Sequence, residues 1–248
     1  MSVELVSLRM LLVAAPSAQQ DLWRKGAAMA SVPVDLATAD ATAAAGTLSR
    51  DGFDLCILEA DLPETEKAAL LAAARAARSA PLVFASVPRG GPRPAAVDGV
   101  MARPGSAEDA RKLVEIGART KIPTGVLIVD DSGTTRSVIR KILGASRFAL
   151  DIHEAREGIA ALGAINSGNF GLVFLDYNMP GFNGFETLSE IKRTAPTVSV
   201  VIMTATIDNK IADRAHSAGA LAFLKKPFFQ ADIDAVLARY YGLSFVSP

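Results

Sequence analysis

GVLIVDDSGTTRSVIRKIL, residues 125–143, sets two adjacent aspartates, Asp130 and Asp131, directly after a short apolar run and ahead of a helix-like segment. A third aspartate, Asp176, ends a second apolar run in LVFLDYNMPGFNG, residues 172–184. Thr204 ends a third run, VVIMTA, and Lys226 a fourth, LAFLKKPF. Strand-like runs alternate with helix-like segments throughout, the pattern of a parallel sheet covered by helices. In an open sheet of that kind the C-terminal ends of the strands converge on one crevice, where ligands bind. Three carboxylates, a hydroxyl and an ammonium are thus expected in one pocket. Carboxylates crowded together without a counter-ion raise one another's pKa, so the cluster makes physical sense mainly as a cation site.

Working outward, the second half reads as strands near 125–130, 149–153, 171–176, 198–204 and 220–224. Helices fall near 133–145, 156–167, 184–194, 208–218 and 230–241. The last helix carries its apolar stripe at Ile233, Val236, Leu237 and Tyr240. The runs at 171–176 and 198–204 are apolar on both faces, as buried parallel strands are. The first half repeats the punctuation: LRMLLVAAP parallels GVLIVDDSG, FDLCILEADLP parallels FGLVFLDYNMP, PLVFASV parallels VVIMTAT, and DGVMARPGS parallels LAFLKKPFF. ARTKIPTG, residues 118–125, carries Pro123 and marks the junction. The expected division is a domain over 1–120, a linker over 121–125 and a domain over 126–248.

Composition narrows the function classes. The chain of 248 residues has 26 basic and 26 acidic residues and a net charge of zero. No basic stripe stands out, so nucleic acid is not an expected partner. No apolar run approaches the roughly 18 residues of a membrane span. The apolar stretch from Met10 to Ala15 is short and follows Glu4, so it reads as a first strand and not as a leader. The single cysteine, Cys56, lies in an apolar run, excludes an internal disulfide and fits a reducing, cytoplasmic setting.

Residues 125–245 resemble the receiver domain of bacterial response regulators, the CheY-like, flavodoxin-type fold. The resemblance rests on Asp130–Asp131, the Asp176 turn with Met179–Pro180 and Gly184, Thr204–Ala205 and Lys226–Pro227, in that order. It implies two doubly wound five-stranded α/β domains in tandem. It implies Asp176 as phosphoacceptor in a reaction needing Mg2+, for which Mn2+ can substitute. Asp131 and Asp176 would supply side-chain oxygens to the ion, Asn178 its backbone carbonyl, and Asp130 would act through bound water. Lys226 would pair with a phosphate oxygen as a point charge. Thr204 would sense the phosphoryl group through its hydroxyl, and Phe223 would be the aromatic that turns inward with it. Phosphate would come from a histidine kinase or a histidine phosphotransfer protein. No separate output domain is read after the last helix, so the signal would leave through contacts with another protein. A phosphate sink or a phosphate-independent adaptor are the alternatives. A haloacid-dehalogenase-like phosphatase also uses an aspartate, magnesium and a lysine, but by resemblance it needs a second aspartate two residues after the nucleophile, where this chain has Asn178.

The first half keeps the frame and loses the chemistry. Ala14 and Ala15 replace the acidic pair, Glu59 takes the acceptor position, Ser86 the hydroxyl position and Arg103 the lysine position. Neither magnesium binding nor phosphorylation is expected there. Glutamate reaches one methylene further than aspartate, and arginine is a natural bidentate partner for it. Glu59, Ser86 and Arg103 therefore read either as a permanent imitation of a filled site or as a decayed one. The stretch from Ser86 to Arg103 is shorter than that from Thr204 to Lys226 by more than a helical turn and contains VPRGGPRPAAVDG. Its prolines are incompatible with a normal fourth helix. Either the sheet is left open to a partner (the second domain, a second copy of the chain, or another protein), or an ordered loop covers it.

Overall fold

The computed structural model describes residues 7–59, 61–91, 94, 96–205 and 209–243. The chain divides into two units: one runs up to Ile122 and takes in the segment from Tyr241, and the other is Pro123–Tyr240.

The second unit begins with β6 (Thr124–Val129), α5 (Gly133–Gly144), β7 (Leu150–Ala155) and α6 (Gly158–Ser167). It continues with β8 (Leu172–Asp176), α7 (Gly184–Thr194), β9 (Ser199–Thr204), α8 (Asn209–Ser217), β10 (Ala222–Lys225) and α9 (Gln230–Tyr241). Its five strands are all parallel, in the order β10-β9-β8-β6-β7. The order reverses direction between β6 and β8, so a crevice opens at their C-terminal ends. Leu127, Val129, Val173, Leu175, Val200 and Ile202 pack with Leu188 and Ile191 of α7 on one face. Their alternate neighbours Val126, Ile128, Phe174 and Val201 are completely buried as well, as strands covered on both sides require.

The first unit contains β1 (Leu8–Val13), α1 (Ala18–Ala28), β2 (Val34–Ala39), α2 (Ala41–Arg50), β3 (Leu55–Glu59), α3 (Glu64–Ala76), β4 (Leu82–Val87), β5 (Gly99–Ala102) and α4 (Ala107–Arg119). Its parallel sheet has the order β2-β1-β3-β4-β5, the same winding as the second. Leu11, Val13, Cys56, Leu58 and Val83 pack against Ala44 and Leu48 of α2 and Leu70 and Ala74 of α3. At the outer edge of β5, the Val100 N–H donates to the Leu243 carbonyl at 2.8 Å. A Cβ on Gly99 would meet that of Leu243 at 2.8 Å, so only glycine lets Leu243 lie this close.

Between β4 and β5 there is no helix among the described residues. The sheet nevertheless stays closed: Ala85, Val87 and Val100 are 3%, 2% and 2% exposed, with Val97 of the connecting loop packed on them. Of the two outcomes open in the sequence, the loop covers the sheet. Its fastening is ionic. Both guanidinium nitrogens Nη1 and Nη2 of Arg75 donate to the Asp98 carboxylate, at 2.9 and 3.0 Å, and Nη2 also donates to the Ala96 carbonyl at 3.0 Å. The same carboxylate accepts from the Val83 N–H at 2.7 Å, which ties the loop to β4. Hydrogen bonds to charged groups contribute about 1.5–3 kcal/mol each. Arg75→Met is therefore expected to destabilise the first unit by about 2 kcal/mol, read as a lower urea midpoint in unfolding followed by tryptophan fluorescence. An unchanged midpoint would show that the apolar contacts of Val97 hold the loop without it.

Candidate functional site

Local structure aims the acidic residues. Ser132 caps α5 by accepting from the Thr135 N–H, and the Ser132 N–H donates to Asp130 Oδ1 at 2.9 Å. The chain thus turns sharply between β6 and α5, with Asp130 only 1% exposed and Asp131 open to solvent. Asp176 ends β8 and is 5% exposed. α7 starts hard against it: a Cβ on Gly184 would lie 2.3 Å from the Asp176 carbonyl oxygen, so that position admits only glycine. Asn183 closes the helix start with a capping box shared with Glu186, and Gly181 turns the loop at a φ of +76°.

One carboxylate oxygen from each of Asp130, Asp131 and Asp176 lies within 4.8 Å of the others. The Lys226 ammonium bridges two of them, 2.7 Å from Asp130 Oδ2 and 3.0 Å from Asp176 Oδ1. It follows β10, whose end is held by the Lys226 N–H donating to the Thr204 carbonyl at 2.7 Å, and its peptide bond to Pro227 is cis. Thr204 is fully buried at the end of β9. Phe223 is half-buried on β10 and packs on the core of the α7 face. Asn178 follows two residues after Asp176, and its backbone N–H donates to the Asp176 carboxylate. A set of three hard oxygen anions beside a backbone turn fits Mg2+, which takes oxygen ligands and binds through a few carboxylates while retaining waters. The donor chemistry therefore suits the ion that the sequence reading expects.

The charges set one another's protonation. Burial pushes the Asp176 carboxyl above its ordinary value; Lys226 and the Asn178 N–H pull it down without cancelling that, and Asp130 adds to the rise. Burial alone would lower Lys226, but its bonds to Asp130 and Asp176 hold it above the ordinary lysine value.

In the first unit Glu59 is 5% exposed at the end of β3, and Ala14 stands where Asp130 stands in the second unit. Two residues that sequence reasoning missed complete this site. The Trp23 indole N–H donates to Glu59 Oε1 at 2.9 Å, and Asp61 Oδ1 lies 2.8 Å from Arg103 Nη2. Arg103 Nε donates to Glu59 Oε2 at 3.2 Å, so the guanidinium engages two acids. Ser86 is fully buried beside Glu59, opposite it in the β3–β4 register. Burial pushes the Glu59 carboxyl up, and Trp23, Ser86 and Arg103 offset this only in part. No group of three metal-ligating side chains forms here among the described residues. Trp23 was legible only as the one tryptophan of the chain, and Asp61 only as an acid two residues after Glu59. In the second unit, Arg136 and Glu154 were also missed; Arg136 Nη1 donates to the Asp130 carbonyl at 2.7 Å and Nε to Glu154 Oε2 at 2.9 Å.

An acidic pocket at the switch point of a five-stranded doubly wound sheet, with a lysine and a buried threonine at the neighbouring strand ends, defines a receiver-type α/β protein. Comparison with known proteins agrees. Residues 126–238 match the response regulator receiver domain. Chemotaxis protein CheY-3 of Vibrio cholerae serotype O1 is 30% identical over 118 residues, covering 47% of this chain and 90% of that protein. The DNA-binding transcriptional regulator NtrC of Escherichia coli K12 is 34% identical over 113 residues, 46% of this chain and 23% of NtrC. The solved structure of a probable two-component system response regulator/GGDEF domain protein aligns over 95% of this chain and 98% of its own, with a TM-score of 0.54 and 17% identity, a likeness of fold that takes in both units. The chain belongs to the response regulator receiver family. Among the described residues no helix is long and apolar enough to cross a membrane.

The raised pKa of Asp176 has a definite sign. The folded state holds the proton more tightly than the unfolded chain, so metal-free stability falls as pH rises from the ordinary value of 3.8 through the raised one. Asp176→Asn removes that titration. Urea unfolding between about pH 4 and pH 7 without divalent ions is expected to give a flatter pH profile for the variant; parallel profiles would mean that Asp176 carries no such burden.

Proposed function

We propose that the second unit is a phosphorylatable switch in which Asp176 accepts a phosphoryl group in a Mg2+-dependent reaction. The observation that carries this reading is the meeting of three carboxylates within 4.8 Å, two of them sharing one lysine. Asp131 and Asp176 would hold the ion by side-chain oxygens, the Asn178 carbonyl would join them, and Asp130 would act through water; Mn2+ would serve as well. Bound there, the ion would supply the positive charge that lets one anion approach another. An Asp176 oxygen then forms a new P–O bond while the P–N bond of a donor phosphohistidine, or the P–O bond of a small acyl phosphate, breaks and the leaving group takes the electron pair. Lys226 is already within 3.0 Å of Asp176 and would pass to a phosphoryl oxygen as that oxygen's counter-charge. The Thr204 hydroxyl would donate to another phosphoryl oxygen, and Phe223 would follow the threonine inward. Phe223 has no hydroxyl, so neither position of that ring is held by a phenolic hydrogen bond. The donor would be a histidine kinase or a histidine phosphotransfer protein, and output would go to a protein whose affinity changes with phosphorylation; such couplings are about 1–3 kcal/mol.

Incubating the full chain with radiolabelled acetyl phosphate and Mg2+ is expected to give close to one label per chain, none after chelation and none in Asp176→Asn. Continuous turnover of a phosphomonoester, or label surviving in Asp176→Asn, would overturn the reading.

For the first unit the reading is a phosphate-independent adaptor. Glu59 is held by Trp23 and Arg103, and no carboxylate stands where Asp130 and Asp131 stand in the second unit. This set supports the imitation of a filled site over simple decay, since a decayed glutamate would be solvated instead of 5% exposed. Glu59→Ala leaves the Trp23 N–H and part of Arg103 without an acceptor. It is expected to shift tryptophan emission and to destabilise the first unit by about 1–3 kcal/mol. No change in either would support decay.

A further inference from the structure

Asp130 and Asp131 are neighbours in sequence, and successive side chains of an extended chain diverge. For both to reach Asp176, the turn between β6 and α5 must keep one conformation. The Ser132 cap fixes the helix start, but it does not orient the two aspartate carbonyls. Arg136 does. It is 7% exposed, one turn into α5, and its Nη1 lies 2.7 Å from the Asp130 carbonyl oxygen and 3.4 Å from that of Asp131. The guanidinium is itself held from the other side by Glu154 of β7, 2.9 Å from Nε. Glu154 also accepts from Arg140, and these arginines, Arg140 foremost, keep its carboxyl below the usual range. Glu154 lies next to Ala155, whose carbonyl accepts from the Asp130 N–H at 3.3 Å. β7 therefore grips the acidic turn twice, once by its backbone and once through Glu154 and Arg136.

We infer that Arg136, braced by Glu154, is a positioning residue that holds Asp130 and Asp131 in the geometry needed to bind a divalent cation. The inference rests on the cation-dependent reading of the site above. It assigns no chemistry to Arg136: the guanidinium touches backbone oxygens and Glu154, not the carboxylates that would hold the ion. Outer partners that orient ligands typically control metal affinity by about 10–100-fold.

The test is Mn2+ titration of the full chain by electron paramagnetic resonance, with acetyl-phosphate labelling as a second readout. Arg136→Met is expected to raise the half-saturating Mn2+ concentration about tenfold, while labelling at saturating Mn2+ returns to near the wild-type extent. Glu154→Gln keeps a hydrogen-bond acceptor but removes the charge, and should move Mn2+ binding in the same direction by a smaller factor. Should Arg136→Met fail to fold by circular dichroism, Glu154→Gln decides alone. Unchanged Mn2+ binding in the folded variants would overturn the inference and leave the site reading intact. Labelling lost at saturating Mn2+ with normal Mn2+ affinity would also overturn it. A wild-type chain that binds no Mn2+ would overturn both.

Discussion

One ammonium group between two buried carboxylates governs the second unit. Asp130 and Asp176 come from strand ends nearly fifty residues apart in sequence, and each is almost sealed from solvent. Two such anions in a low-dielectric setting would repel each other, and one would take up a proton. Lys226 offsets this by sitting within hydrogen-bond distance of both. The sheet supplies the geometry: β6, β8 and β9 deliver Asp130, Asp176 and Thr204 to one rim, and β10 brings Lys226 beside them. The arrangement is stable enough to fold yet retains excess negative charge, because Asp131 joins the pair from the solvent side. A pocket with more anion than cation has the charge balance on which the proposed cation-dependent reading rests.

The first unit shows the same frame without the acidic pair. With alanines after β1, a single acid remains at the end of β3. Its longer side chain finds an indole N–H and a guanidinium instead of a lysine. Arg103 reaches outward to Asp61 as well, so the cation leans toward solvent where Lys226 leans inward. One guanidinium faces two acids here, and among the described residues no third metal-ligating side chain joins them. The fold survived because it depends on the apolar strands and their two covering layers, which the strand-end substitutions do not touch.

Much of this was readable in the chain itself. Apolar runs ending in Asp130, Asp176, Thr204 and Lys226 identify the strands and the site together, since buried parallel strands are continuous apolar stretches and their ends are where polar residues begin. The helices at 184–194 and 230–241 were read at the bounds observed. That no helix lies between β4 and β5 among the described residues followed from prolines, whose local effect does not depend on tertiary context. The residues that were missed share one property: their role depends on distance across the fold. Arg136, taken alone, is an ordinary helix residue, Trp23 an ordinary core aromatic, and Asp98 an ordinary turn acid. Only the packed structure brings Arg75 to Asp98, Trp23 to Glu59, and Glu154 to Arg136. The closing of the first sheet by its loop was equally beyond the sequence, which offered open and covered outcomes with no means of choosing between them.

Trp23 is the only tryptophan in the chain, and the second unit carries tyrosines, Tyr177 and Tyr240, but no indole. Excitation at the red edge of protein absorbance therefore selects one chromophore, buried and hydrogen-bonded to Glu59. Its emission reports the integrity of the first unit, with no indole of the second unit to overlap it. The first unit thus carries a built-in optical label and can be followed in one cuvette without attaching a dye.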